Sequence, residues 1–112
     1  MTLFFDNRAN WAEAINSGRK VHTVRKSLHG IKPGCTLAMV TGRFTNRVKF
    51  AERVCVSTQP VEMSNGSVTV GGAQVDPARF AANSGFQGPA ETFAYYGTTS
   101  GYIIHWTHLR YE

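Results

Sequence analysis

Cysteine is scarce in this 112-residue chain: Cys35 and Cys55 are the only two, twenty positions apart. No Cys-x-x-Cys pair and no Cys/His cluster at zinc-finger spacing occurs, so the expectation is two reduced thiols buried on strands, no metal and no cofactor. A Cys35–Cys55 disulfide stays open, but nothing else points to an oxidising compartment. Long apolar runs are also missing. None approaches the roughly 20 residues of a membrane span. The N-terminus has no charged segment followed by a continuous apolar one, as a secretory signal would need. The expectation is a cytoplasmic protein with no membrane partner. Acidic residues are few, seven Asp and Glu against twelve Lys and Arg, a net charge of +5.

That charge is uneven. Residues 1–60 hold ten bases and three acids (+7), and residues 61–112 hold two bases and four acids (−2). A positive field of this kind attracts polyanions or phosphorylated ligands. The same charges scattered over a solvated surface would serve solubility alone. With 42% hydrophobic and 17% charged residues the composition is that of a globular protein, and the length fits one domain, residues 1–112. A chain of this size buries roughly two-thirds of its unfolded surface without a disulfide scaffold.

No repeat, linker or low-complexity tract interrupts the chain. Leu3 to Phe5 reads as a short strand. Asp6 or Asn7 can cap a helix whose inner stripe is Trp11, Ala12 and Ile15, with Gly18 as its left-handed C-terminal residue. Val21 to Arg25 and Thr36 to Thr41 read as strands separated by the turn Lys32-Pro33-Gly34, and Gly42 ends the second. Arg47 to Ser57 alternates as one strand. Val61 to Val70 is a hairpin about Asn65-Gly66, a dipeptide that takes positive φ at low cost. Asp76-Pro77 opens a helix that Gly85 closes, and Gly88-Pro89 opens another that Gly97 stops. Tyr102 to Tyr111 is the last strand, with Tyr102, Ile104, Trp106 and His108 on one face. Such an order is α+β. Short antiparallel strands hide their edges best by closing into a small β-barrel, with the short helices flanking it.

The basic segment Gly18-Arg19-Lys20-Val21-His22-Thr23-Val24-Arg25 resembles the signature of the ASCH family, a helix ending in Gly-x-Lys followed by Thr-x-Arg on a strand. The resemblance continues at Ile31-Lys32-Pro33-Gly34, at Ala81-Ala82-Asn83-Ser84-Gly85-Phe86, at Tyr95-Tyr96 and at Tyr102-Ile103-Ile104-His105-Trp106. It implies a PUA-like barrel. Its layout is similar to small bacterial amidohydrolases that deacylate N4-acetylcytidine, in which Lys20 would be the base and Thr23 the nucleophile. Ser84 stands where that family has a glutamate, leaving Glu91 or Asp76 to supply the acid.

A threonine hydroxyl needs a base within about 3 Å, and a lysine serves once burial and neighbouring cations lower its pKa. Residues three apart on a regular strand point to opposite faces, so Lys20 and Thr23 converge only if Lys20 lies in an irregular turn. Thr23 and Arg25 share a face, and His22 should face away from them at the periphery. Thr23 also has a plain reading as a β-former, and Lys20 and Arg25 as solvated charges. His105 and His108 lie on opposite faces and make no metal site. Most aromatic rings should fill the core, with Phe86 and Gln87 in a loop that could line a pocket for a base edge. The expected ligand-binding set is Arg19, Arg25, Lys26, Ser84, Phe86 and Gln87, and the catalytic set Lys20, Thr23 and Glu91. The expected partner is RNA, another single-stranded nucleic acid or a nucleoside. The alternatives are the amidohydrolase activity itself and a small protein-interaction module without a ligand.

Overall fold

The computed structural model describes residues 1–6, 9–42 and 46–112. In chain order the elements are β1 (Thr2–Phe5), α1 (Trp11–Asn16), β2 (His22–Arg25), β3 (Thr36–Thr41), β4 (Val48–Val54), β5 (Ser57–Ser64), β6 (Ser67–Val70), β7 (Ala73–Val75), α2 (Pro77–Asn83), α3 (Pro89–Tyr96) and β8 (Thr99–His105). The fold is α+β, with the strands in two sheets ordered β1-β3-β4 and β2-β8-β5-β6-β7. β1 runs parallel to β3, and the other ladders are antiparallel. No helix of the described residues is long and apolar enough to cross a membrane.

The punctuation residues act where turn chemistry places them. Gly18 adopts φ 84 after α1, and the β5–β6 hairpin turns on Asn65 (φ 50) and Gly66 (φ 78). Asp76 caps α2 by accepting from the Ala78 N–H at 3.0 Å, with Pro77 opening the helix. The cap of α1 is Asn10, whose Oδ1 accepts from the Glu13 N–H at 3.1 Å. It is neither Asp6 nor Asn7, the latter lying outside the described residues. The buried stripe of α1 is Trp11, Ala14 and Ile15, an i, i+3, i+4 set that leaves Ala12 at its margin.

Two expected strands are corrected. The run from Arg47 to Ser57 is broken at Cys55 and Val56. There the Cys55 N–H bonds to the Cys35 carbonyl while the Val56 N–H bonds to that of His105, so the chain leaves one sheet for the other. The last strand starts at Thr99 and stops at His105. Beyond it, the Tyr111 N–H and carbonyl are both taken by the Gln59 side chain, at 3.0 and 2.7 Å, and a side-chain clamp replaces the ladder.

Two apolar clusters result. One gathers Leu3, Phe5, Trp11, Ile15, Leu37, Met39 and Ile104 under α1, and the other Val24, Val61, Met63, Val68, Phe80 and Ile103 under α2. His22 and His105 are paired across β2 and β8 and are both fully buried. His22 faces away from Thr23 as alternation requires, but it is interior and not peripheral. Its Nε2 lies 2.6 Å from the Tyr111 hydroxyl, and Nε2 of His105 lies 3.0 Å from Gln59 Oε1. The two rings meet edge to face at 5.3 Å.

Burial disfavours both imidazolium forms, holding His22 well below its ordinary value and His105 at about 4, with the Arg110 charge adding a smaller push on the latter. Above pH 6.5 both rings are neutral folded or unfolded. As pH falls from there toward 4 the unfolded chain takes up protons that the native chain refuses, so native stability drops. Urea unfolding midpoints should therefore fall between pH 6.5 and 4, and His105→Gln should flatten that slope. A slope unchanged by the substitution would contradict this assignment.

Candidate functional site

The expected obstacle to a Lys20–Thr23 site is strand alternation, and the local fold removes it. Positive φ at Gly18 turns the chain out of α1, and β2 does not begin until His22. Lys20 lies before the strand, pinned by its N–H to the Ala14 carbonyl and by an isolated bridge to Ser84. Its side chain is thereby free of the strand's alternation. Lys20, Thr23 and Arg25 line a single cavity of about 270 Å³, together with Phe5, Trp11, Lys26, Tyr95 and Tyr96.

Lys20 is among the most buried side chains of the described residues, 1% exposed. Its Nζ donates to the Ser84 carbonyl at 2.9 Å and sits 4.7 Å from the centre of the Trp11 ring. Burial, and secondarily the Arg25 charge, hold its pKa well below the ordinary lysine value. Position 84 thus offers the amine something other than a carboxylate. Ser84 offers the amine a backbone carbonyl, while its own hydroxyl is buried with no partner among the described residues. A carboxylate would favour the ammonium, whereas a neutral acceptor leaves burial as the main influence, and it holds the pKa down.

Thr23 is buried, and its hydroxyl hydrogen-bonds with Tyr96, whose own ionisation burial pushes up. Arg25 donates from Nη2 to the Phe4 carbonyl at 2.8 Å and lies 5.0 Å over the Phe5 ring. Burial lowers its pKa from the usual value, opposed by Tyr96, Tyr95 and Asp6, and a guanidinium stays charged through such a shift.

The remaining candidates separate. Lys26 lines the cavity rim and is exposed. Arg19 does not reach the cavity. It ties the Gly85 carbonyl (2.6 Å) to Glu13 (2.8 Å), fixing the loop that carries Ser84. Phe86 is a core ring, 7% exposed and packed edge-on against Trp11 at 5.3 Å, so it supports the cavity wall without lining it. Gln87 and Glu91 are exposed and do not line the cavity. Glu91 occupies the first turn of α3, while Tyr95 and Tyr96, which do line it, come from the last turn. Asp76 caps the far end of α2 from Ser84.

The carboxylate that engages the cavity wall is Asp6, accepting from Trp11 Nε1 at 3.3 Å and from the Tyr95 hydroxyl at 2.7 Å. Sequence gave no signal for that role, because Asp6 and Tyr95 are 89 positions apart. Among the described residues no group of three or more His, Cys, Asp or Glu is placed to hold a metal ion.

A buried amine that is better off uncharged should be dispensable for stability. Lys20→Met, which keeps the chain's length and removes the ionisable group, should leave the thermal midpoint at pH 7 unchanged or higher. Lys20→Ala, which empties the same space, should cost about 2–5 kcal/mol by analogy with other long buried side chains. Equal losses in the two variants would show that the ammonium itself is stabilising. Comparisons of the chain with models of protein families, with curated proteins and with solved structures gave no match.

Proposed function

We propose that this chain is an ASCH-type domain that binds a modified nucleoside in the Lys20–Thr23 cavity and hydrolyses its N4-acyl group. The observation that carries the proposal is a buried lysine whose charged form is disfavoured, sharing one cavity with a threonine hydroxyl and an arginine. At about 270 Å³ the cavity lies near the lower end of small-molecule sites, a size suited to an acylated base. Phe5, Trp11, Tyr95 and Tyr96 supply the flat apolar surfaces on which a base stacks. The PUA-like barrel belongs to the same proposal. The chain passes from one sheet to the other between β4 and β5, and the Arg25–Phe4 hydrogen bond links the edge strands β2 and β1. Two free cysteines suit a cytoplasmic setting.

In the proposed reaction the Thr23 oxygen attacks the acyl carbon while the neutral Lys20 amine takes the hydroxyl proton. Positive charge on Arg25 stabilises the tetrahedral oxyanion. The carbon–nitrogen bond then breaks, the Lys20 ammonium returns its proton to the departing cytidine N4, and an ester remains on Thr23. Water, deprotonated by Lys20 in the same way, attacks that ester, and as the acyl–oxygen bond breaks the Lys20 ammonium returns the proton to the Thr23 oxygen. The products are cytidine and the carboxylic acid. Ser84 in place of an acid is consistent with this scheme, because Lys20 both accepts and returns the proton.

Binding of single-stranded nucleic acid by the basic half is the second reading, favoured by the +7 charge of residues 1–60. Incubation with N4-acetylcytidine, followed chromatographically, separates the two. Cytidine should accumulate with the wild type, and Lys20→Met should lower kcat by about 10²–10⁴-fold. Turnover that survives Lys20→Met would remove the lysine from the chemistry. Absence of turnover alongside salt-sensitive RNA binding would favour the second reading.

A further inference from the structure

Lys26 follows Arg25 at the end of β2 and has no hydrogen bond or ion pair with any described residue. It lines three hollows at once. One is the Lys20–Thr23 cavity. The second, also about 270 Å³, lies between β1 and the loop after β2, and the third is an open trough of about 400 Å³ over β5, β6 and β8. A substituent that extends from a ligand in the first cavity toward either neighbour passes the Lys26 ammonium.

The two neighbours differ in charge. The trough contains Glu62 beside Lys26, which repels an anion. The β1-side cavity has one wall from Met1 to Phe4 with Ile31 and the other from Arg25, Lys26, Ser27 and His29, and none of the described residues lining it is a carboxylate. Arg25 is common to this cavity and the Lys20–Thr23 cavity, and its buried Nε has no partner among the described residues. The carboxylate acting on Arg25, that of Asp6, is engaged by Trp11 and Tyr95 and lines neither cavity. The loop is bent so that the His29 N–H donates to Ser27 Oγ at 3.4 Å, which leaves the Ser27 hydroxyl proton available to an acceptor.

We propose that the β1-side cavity is an anion subsite that takes the phosphate of a ligand whose base occupies the Lys20–Thr23 cavity, so that the protein acts on nucleotides in preference to nucleosides. This rests on the nucleoside reading above and narrows its ligand class. The phosphate oxygens lie at the Lys26 ammonium and accept from Ser27, while Arg25 stays with the acyl oxyanion. A free 5′-monophosphate and an internal phosphodiester of a single strand present the same chemistry, and the experiment separates them.

The test compares kcat/KM for N4-acetylcytidine, its 5′-monophosphate and a short single strand carrying one internal N4-acetylcytidine, in the wild type and in Lys26→Gln. Binding of cytidine and of cytidine 5′-monophosphate is measured by calorimetry in parallel. A preference of about tenfold or more for a phosphorylated ligand is expected, weakening as salt rises and collapsing toward parity in Lys26→Gln. Taking the ratio within each variant cancels any general loss of folded protein. Preference confined to the strand assigns the subsite to an internal phosphodiester, and preference shared by the monophosphate assigns it to phosphate itself. Preferential binding of the monophosphate without turnover retains the subsite and removes the chemistry. Equal kcat/KM for nucleoside and nucleotides, or a preference unchanged in Lys26→Gln, overturns the subsite while leaving the nucleoside reading intact. Failure of all these ligands to bind or react overturns both.

Discussion

One buried amine sets the terms for the site. Lys20 is removed from water by Trp11 and by the loop at the end of α2, and the one hydrogen bond described for its Nζ is to a neutral carbonyl. An ammonium so placed has no carboxylate among its described partners, and the cation–π contact with the Trp11 ring offsets only part of its desolvation. The balance therefore moves to the free amine, which is a base. The surroundings are built to keep the amine in place. Arg19 ties the Gly85 carbonyl to α1, and a Cβ on Gly85 would approach Lys20 Cβ to 3.0 Å, so a residue without a side chain lets the loop close over the lysine.

Arg25 connects this site to the architecture. The same guanidinium that lines the cavity with Thr23 donates to the Phe4 carbonyl, linking β1 and β2, between which there is no ladder. One side chain thus bridges the edge strands of the two sheets, and the two cavities beside it share that residue. Close approach elsewhere supports the arrangement. A Cβ at Gly101 would lie 2.4 Å from the Arg25 carbonyl oxygen, so β8 can lie against the end of β2 only with glycine there.

The sequence disclosed those features that depend on local chemistry. Gly18, Asn65-Gly66, Asp76-Pro77 and Gly97 mark element ends because φ preference and capping act within a few residues. The convergence of Lys20, Thr23 and Arg25 followed from one such local fact, a left-handed glycine before the strand. Features that depend on distant partners were less legible. His22 looks peripheral beside Thr23 until β8 and Tyr111 are folded over it. Phe86 follows a loop glycine and becomes a core ring because Trp11, Tyr95 and Tyr96 converge on it. Arg47 to Ser57 alternates without a visible break, since the change of sheet at Cys55 is dictated by Cys35 and His105, both remote in sequence. Asp6, suited by type to a helix cap, is used instead to hold two rings of the cavity.

The state of the Lys20 amine is the claim on which the chemistry stands, and it is directly observable. Carbon-13 labelling of lysine, with Lys20 Cε assigned by its loss in Lys20→Met, allows the shift of that carbon to be followed against pH in the intact protein. The account predicts a titration well below 10.5, with a neutral amine throughout the pH range above it. A Lys20 signal that titrates with the surface lysines, near the ordinary value, would contradict it.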